Sequence, residues 1–317
     1  MNSGKKMKIF LAGHNGMVGS AIKKCLIKNG YNNIITKSRK SLDLVNQSLT
    51  YKFLKKIKPD FVILAAAKVG GIDYNCRFKH EFIYENNQIQ NNVIHGSYLA
   101  GTKNLFFLGS SCIYPKYCKQ PMKEKYLLSG SLEETNEAYS LAKIMGIKMC
   151  EYYSFFLNLN YKSLMPPNLY GPNDNFDLNN SHFYPALIRK IYLAKKYKKK
   201  KLDIWGTGKA KRELMFVDDF ADAVVFFMKK KIKEPFLNIG TGEYHQIDWY
   251  AKMLMRLMNV KLKINYDTKK PDGMPRKCLD TGLAKKYGWK PKNDYQEGFR
   301  LTFQYFLNNY NKNEKNK

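Results

Sequence analysis

Acidic residues are scarce in this chain: 26 Asp and Glu face 55 Lys and Arg, a formal net charge of +29 over 317 residues. Such a balance invites a nucleic-acid partner, yet no nucleic-acid-binding motif accompanies it and the lysines spread along the whole length. The densest run, 195–201, reads as the exposed end of a helix. A solvated surface and the steering of an anionic small molecule are the two readings that remain, and no nucleic acid is expected. Cysteines are few and scattered. Cys25, Cys76, Cys112, Cys118, Cys150 and Cys278 form no CxxC pair and match no histidine spacing, which argues against a zinc site or a disulfide framework. No apolar run approaches the roughly 18 residues that would span a bilayer. The polar stretch from Met1 to Lys6 leaves no room for an apolar leader. The expectation is a cytoplasmic globular protein with no membrane partner and no metal.

What is present is a dinucleotide signature. A short apolar strand from Lys8 to Ala12 runs into Gly13-His14-Asn15-Gly16-Met17-Val18-Gly19, and a helix follows with Ala21, Ile22, Cys25 and Leu26 on one face. Strand, glycine turn and helix together bring a pyrophosphate to unpaired N–H groups at a helix start. The second strand ends in Lys37-Ser38-Arg39. No Asp or Glu stands where a ribose hydroxyl would be held, and Arg39 with Lys37 offers cations for a 2′-phosphate, so NADP is expected rather than NAD. A chance surface cation is the plain alternative. A third strand ends in Ala65-Ala66-Ala67, small residues that let backbone approach a cofactor, and a helix from about Phe78 to Ala100 precedes the strand from Asn104 to Leu108. This alternation predicts an α/β fold, a Rossmann-type doubly wound parallel sheet.

Beyond the fourth strand the chain reads Leu108-Gly109-Ser110-Ser111-Cys112, and further on Tyr139 and Lys143 sit one helical turn apart. A hydroxyl at a strand end with a Tyr–Lys pair is suited to protonating a carbonyl as hydride arrives, the ammonium drawing the phenol down from its usual value near 10. Ser110 would hydrogen-bond the carbonyl oxygen. Cys112 adds a possible base for the carbons beside that carbonyl; its alternative is a small buried side chain that packs as a hydrophobe.

These blocks, together with Ala65-Ala66-Ala67-Lys68-Val69-Gly70-Gly71-Ile72, Asn168-Leu169-Tyr170-Gly171-Pro172 and Lys270-Pro271-Asp272-Gly273-x-Pro275-Arg276-Lys277, resemble the extended short-chain dehydrogenase/reductase family from about Lys8 to Asn308. The resemblance is to its epimerase–reductase members, and implies action on GDP-4-keto-6-deoxy-D-mannose with NADPH. It further implies His182 as an acid opposite Cys112, although a lone histidine is also an ordinary capping residue. Cofactor contacts are implied at Gly13, His14, Asn15, Gly16, Met17, Val18, Gly19, Arg39, Ala66, Ala67, Leu108, Gly109, Ser110, Lys143, Pro166, Asn168, Leu169 and His182. Lys190, Trp205, Arg212 and Asp272 would contact the GDP-sugar, with a core tryptophan and a surface arginine as the bland readings of two of them. Two departures stand out: Lys190 replaces an expected arginine, and Pro167 an expected hydroxyl residue. A nucleotide-sugar dehydratase would carry an acidic pair where Ser111 and Cys112 stand, and a 4-epimerase would not need the Cys112–His182 pair. Family members are generally homodimers with paired helices at the interface.

Regular alternation loosens after Asn168. Helix 181–200, a short strand 202–205, a strand 212–219, an apolar helix 220–230 and a strand 236–240 are expected. A cofactor domain at 1–170 is rejoined by 216–242, a smaller mixed α/β substrate-binding domain comprises 171–215 and 243–310, and a frayed basic tail closes the chain at 311–317, with fraying expected from Asn308.

Overall fold

A computed structural model describes residues 6–315. The first half runs β1 (Ile9–Ala12), α1 (Met17–Lys28), β2 (Ile34–Ile35), α2 (Gln47–Ile57), β3 (Phe61–Leu64), α3 (Ile72–Arg77) and α4 (Lys79–Leu99). It continues through β4 (Asn104–Leu108), α5 (Glu137–Leu157) and β5 (Asn160–Met165). The second half contains β6 (Asn168–Tyr170), α6 (Phe183–Lys196), β7 (Lys201–Trp205), β8 (Lys211–Arg212), β9 (Leu214–Phe216) and α7 (Val217–Phe227). After these come β10 (Phe236–Asn238), β11 (His245–Gln246), α8 (Ile247–Leu257), β12 (Lys263–Asp267), β13 (Arg276–Lys277), α9 (Gly282–Lys286) and α10 (Tyr295–Lys315).

The main sheet is parallel throughout, in the order β10-β5-β4-β3-β1-β2. Its strands are apolar at nearly every position because both faces are covered. Ile9, Leu11, Phe61, Ile63, Phe106 and Leu108 enter one core, while Phe10, Ala12, Val62, Leu64, Leu105 and Phe107 enter the other. That alternation is the strand period of two, read on two buried sides. The chain leaves β1 for β2 and returns to β3 on the other side of β1. The carboxyl ends of β1 and β3 therefore flank the switch point, where ligands of such sheets bind.

Smaller sheets finish the molecule: β11-β8-β13, β12-β7 and β6-β9. The core that begins under β1 continues without a break to Leu202, Ile204, Tyr250 and Leu254. The two halves are thus distinguished by their sheets and share one core. Helix α7 packs on α1, and Lys24 of α1 pairs with Asp218 of α7 at 3.2 Å.

Several boundaries differ from expectation for identifiable reasons. The helix expected from about Phe78 to Ala100 is α4, and a short helix that was not expected, α3, precedes it. Helix α6 stops at Lys196, and a left-handed Lys198 (φ 52°) turns the lysine run into β7. The strand expected at 212–219 is interrupted at Glu213. This buried carboxylate accepts N–H bonds from Thr241 (2.6 Å), Gly242 (2.9 Å) and Leu279 (2.7 Å), which pins the β8–β9 junction to two loops. Asp218 and Asp219 fall instead in the first turn of α7, where acidic side chains favour a helix start. Helix α10 runs through Lys315, and positions 316–317 of the expected basic tail lie outside the described residues.

Candidate active site

The glycine turn is built for close approach. Gly13 has φ +89°, and a Cβ there would lie 2.6 Å from the Ala66 nitrogen. A Cβ on Gly19 would lie 2.1 Å from the Gly13 oxygen, so α1 presses directly on the turn that precedes it. Gly16 caps α1 without a side-chain hydrogen bond, and no acidic residue occupies the first turn. His14 lies beside this turn with its Nδ1 buried and unpartnered, and burial together with the Lys23 charge lowers its pKa. Uncapped helix N–H groups, backbone that tolerates no extra carbon and an unused polar atom fit a dinucleotide phosphate. Gly13 through Gly19, Ala66 and Ala67 meet at the switch point. Arg39 lies at the far end of β2, where its guanidinium pairs with Glu85 (3.3 Å) and Asp43 (4.0 Å).

Helix α5 carries Tyr139 and Lys143 over the end of β4. Its approach is set by Gly146, where a Cβ would come within 2.6 Å of the Phe107 ring. Lys143 is buried, donates from Nζ to the Leu108 carbonyl at 2.7 Å, and lies 4.7 Å from the Phe107 ring centroid. Burial pulls its ammonium down to about 7 against the opposing Cys112 charge. Tyr139 is 5.7 Å from Lys143, ring centroid to Nζ. Burial first, and then the Cys112 charge, push the phenol up, while Ser110 pulls the other way. The downward pull expected from Lys143 is not the ruling influence here, because the ammonium is itself desolvated and turned toward a carbonyl.

Ser110 follows β4 in extended conformation, and its Oγ accepts the Cys112 N–H at 3.2 Å. Ser111 N–H donates to the Pro166 carbonyl at 3.0 Å, and Gly109 N–H to Leu164 at 3.0 Å. These bonds stitch the Ser–Cys loop to the end of β5 and to the Pro166–Pro167 link that leads into Asn168 and Leu169 of β6. The Cys112 sulfur accepts from Lys277 Nζ at 3.0 Å and from Asn136 Nδ2 at 3.3 Å. Burial alone would raise this thiol; the Lys277 charge and hydrogen bond, Ser110 and the Arg212 charge outweigh it, and the net shift is downward. His182 caps α6 with no side-chain capping bond. Gly71 anchors its segment, donating to the Asn180 carbonyl at 3.0 Å. His182 is exposed at the start of α6, and the protein around its ring, aided by the Lys277 charge, lowers its pKa to about 4.

The residues expected on the GDP side fall in two places. Lys190 and Trp205 line a cleft of about 620 Å³ together with Asp203, Asn265, Tyr266 and Lys201. Lys190 Nζ donates to the Asp203 carbonyl at 3.0 Å, and its pKa is lowered by burial against Asp203 and Asp267. The indole is flanked by Lys190 (5.8 Å) and Lys270 (5.0 Å). Arg212 is buried nearer Cys112, with guanidinium bonds to the carbonyls of Lys211 (2.9 Å), Met274 (2.6 Å) and Asp272 (2.9 Å). Asp272 accepts from Thr207 N–H and Oγ1, both at 2.8 Å, so its carboxylate latches the turn that follows Trp205.

A family model described as "NAD dependent epimerase/dehydratase family" matches residues 9–240. The chain belongs to that family. Among its relatives, GDP-L-fucose synthase 1 of Arabidopsis thaliana is 46% identical over 307 residues, covering 97% of this chain and 95% of the relative. GDP-L-fucose synthase of Escherichia coli (strain K12) is 42% identical, covering 96% and 98%. A GDP-mannoheptose C4 reductase from Campylobacter jejuni, solved with NADP bound, superposes with a TM-score of 0.87 at 36% identity over 96% of this chain and 99% of its own.

Within this family member, two contacts of the cysteine escape sequence reasoning. Asn136 stands three residues before Tyr139 and has no motif role, and Lys277 ends the Lys-Pro-Asp-Gly block without one. Only the fold shows that both side chains reach one sulfur.

Proposed function

We propose that this protein converts GDP-4-keto-6-deoxy-D-mannose to GDP-L-fucose, inverting C3 and C5 and then reducing the C4 ketone with NADPH. The observation that carries this reading is the Cys112 sulfur, held by Lys277 and Asn136 inside a Ser110–Tyr139–Lys143 frame. Near-full-length relatives named GDP-L-fucose synthase support the substrate. The glycine turn, Arg39, Lys143 and the Pro166–Leu169 connection would hold the cofactor, with residues 1–170 and 216–242 as its domain. Segments 171–215 and 243–310 would grip the GDP-sugar through Lys190, Trp205 and Arg212, with Asp272 fixing the loop between them.

A C4 ketone acidifies the hydrogens at C3 and C5 because each carbanion is delocalised as an enolate. Cys112 thiolate removes a proton and becomes the neutral thiol, and protonated His182 returns one to the opposite face. Ser110 and Tyr139 hydrogen-bond the enolate oxygen. The imidazole must gain a proton to act as acid, and negative charge delivered by the diphosphate beside it raises its pKa toward that state. Bound NADPH supplies the hydride for C4. Tyr139 gives its proton to the new alkoxide, and Lys143 stabilises the phenolate left behind.

Two coarser expectations join this reading. A homodimer is supported by α4 and α5, which pack together and leave Tyr84, Tyr98, Tyr152, Phe155 and Phe156 exposed. A cytoplasmic enzyme suits a nucleotide-sugar substrate, and no described helix is long and apolar enough to cross a membrane. The test is to incubate the full chain with GDP-4-keto-6-deoxy-D-mannose and NADPH, following nicotinamide absorbance and product stereochemistry. Folded protein that consumes no NADPH would sink the proposal.

A further inference from the structure

Lys277 is buried, and the Cys112 sulfur is the partner of its Nζ, at 3.0 Å. Among the described residues it forms no ion pair with a carboxylate. The nearby acids are engaged elsewhere: Glu133 with Lys116 at 3.3 Å, and Asp272 with Thr207. A buried ammonium beside a neutral thiol would have no counter-charge, an arrangement that proteins avoid. A second cation aggravates this. Lys277 and Arg212 are register partners on β13 and β8, so their side chains stand side by side. Like charges at such positions repel, and an anion between them and the substrate relieves the strain.

We propose that Lys277 is the positioning cation of the epimerisation pair: its charge holds Cys112 as the thiolate base. This rests on the Cys112–His182 roles proposed above. The other charged and titratable groups around the sulfur are Arg212 of β8 and Tyr139 and Lys143 of α5, with His182 at the start of α6. Tyr139 is neutral at pH 7 and Arg212 is tied to three backbone carbonyls. Lys143 is turned to Leu108. Among the described residues, Lys277 alone of the cations makes a hydrogen bond to the sulfur.

The experiment is site-resolved alkylation of the full chain by iodoacetamide across pH, with Cys112 followed by peptide mass spectrometry. An opposite charge within about 4–6 Å moves an acid by about 1–3 pH units. Lys277→Met should therefore slow Cys112 alkylation at neutral pH by at least ~10-fold and shift the midpoint up, with the alkaline plateau unchanged. Lys277→Arg should retain the wild-type profile. A change of access alone would move the plateau and leave the midpoint in place, which overturns the assignment. So would a wild-type midpoint at or above the ordinary value of about 8.5, a result that needs no variant to fold. Alkylation needs neither substrate nor cofactor. An active enzyme with an unshifted Lys277→Met profile therefore refutes this inference alone, whereas a shifted profile without turnover refutes the function alone.

Discussion

Lys143 donates a 2.7 Å hydrogen bond from its ammonium to the carbonyl of Leu108, the last residue of β4. This bond ties the first turns of α5 to the sheet edge and sets Tyr139 beside Ser110. It also fixes a charge where water does not reach, and the protein's pH response follows from that.

Burial holds Lys143 at about 7, below its ordinary 10.5. The unfolded chain therefore binds more protons than the native one between those values, and stability rises with pH across that window. Below about pH 7 the lysine is protonated in both states and the burial penalty is present in full. Lys143→Met should raise the thermal midpoint of cofactor-free protein at or below neutral pH, with the gain shrinking as pH climbs toward 10. Calorimetry across that range is the check, and a gain that grows with pH would contradict the assignment.

The two chemical steps should separate by mutation. Cys112→Ser should abolish solvent-deuterium incorporation at C3 and C5, since a serine hydroxyl is a far weaker acid than a thiol. Tyr139→Phe should lower reduction by about 10²–10⁴-fold while exchange at those carbons stays measurable. Mass spectrometry of recovered sugar in D₂O reads both. Persistent exchange in Cys112→Ser, or full reduction in Tyr139→Phe, would remove the residue concerned from its role.

Gly19→Ala places a carbon 2.1 Å from the Gly13 oxygen, a contact with rigid backbone on both sides. The turn must open, and NADPH affinity should fall by at least ~10-fold, the equivalent of about 1.4 kcal/mol. Fluorescence titration of NADPH measures it without turnover. Unchanged affinity would mean that the phosphates bind elsewhere.

Phe155 and Phe156 are 79% and 74% exposed at the end of α5, large apolar area that a partner helix pair would cover. Replacing both with lysine should convert a dimer to a monomer in sedimentation equilibrium. A wild-type chain that sediments as a monomer would refute the homodimer directly.

Much of this fold is legible locally. The β1 turn and α1 announce themselves because strand alternation, glycines and a one-sided helix fall within twenty residues. Ser110, Tyr139 and Lys143 are equally readable, since a strand end and a single helical turn position them. Arg212, Asp272 and Lys277 are not. The resemblance implies that Arg212 and Asp272 contact the GDP-sugar, but their bonds to the 272–274 turn and to Thr207 join segments far apart in the chain, which no local pattern shows. Lys277 reaches Cys112 only through a two-residue strand pairing, too short to leave a periodic signal. The break at Glu213 likewise depends on loops that arrive much later in the chain.

Cys112 and Lys277 are 165 residues apart in sequence. The charge that would perturb the cysteine therefore comes from the last part of the chain, and a chain that lacks β13 has no ammonium at the Cys112 sulfur.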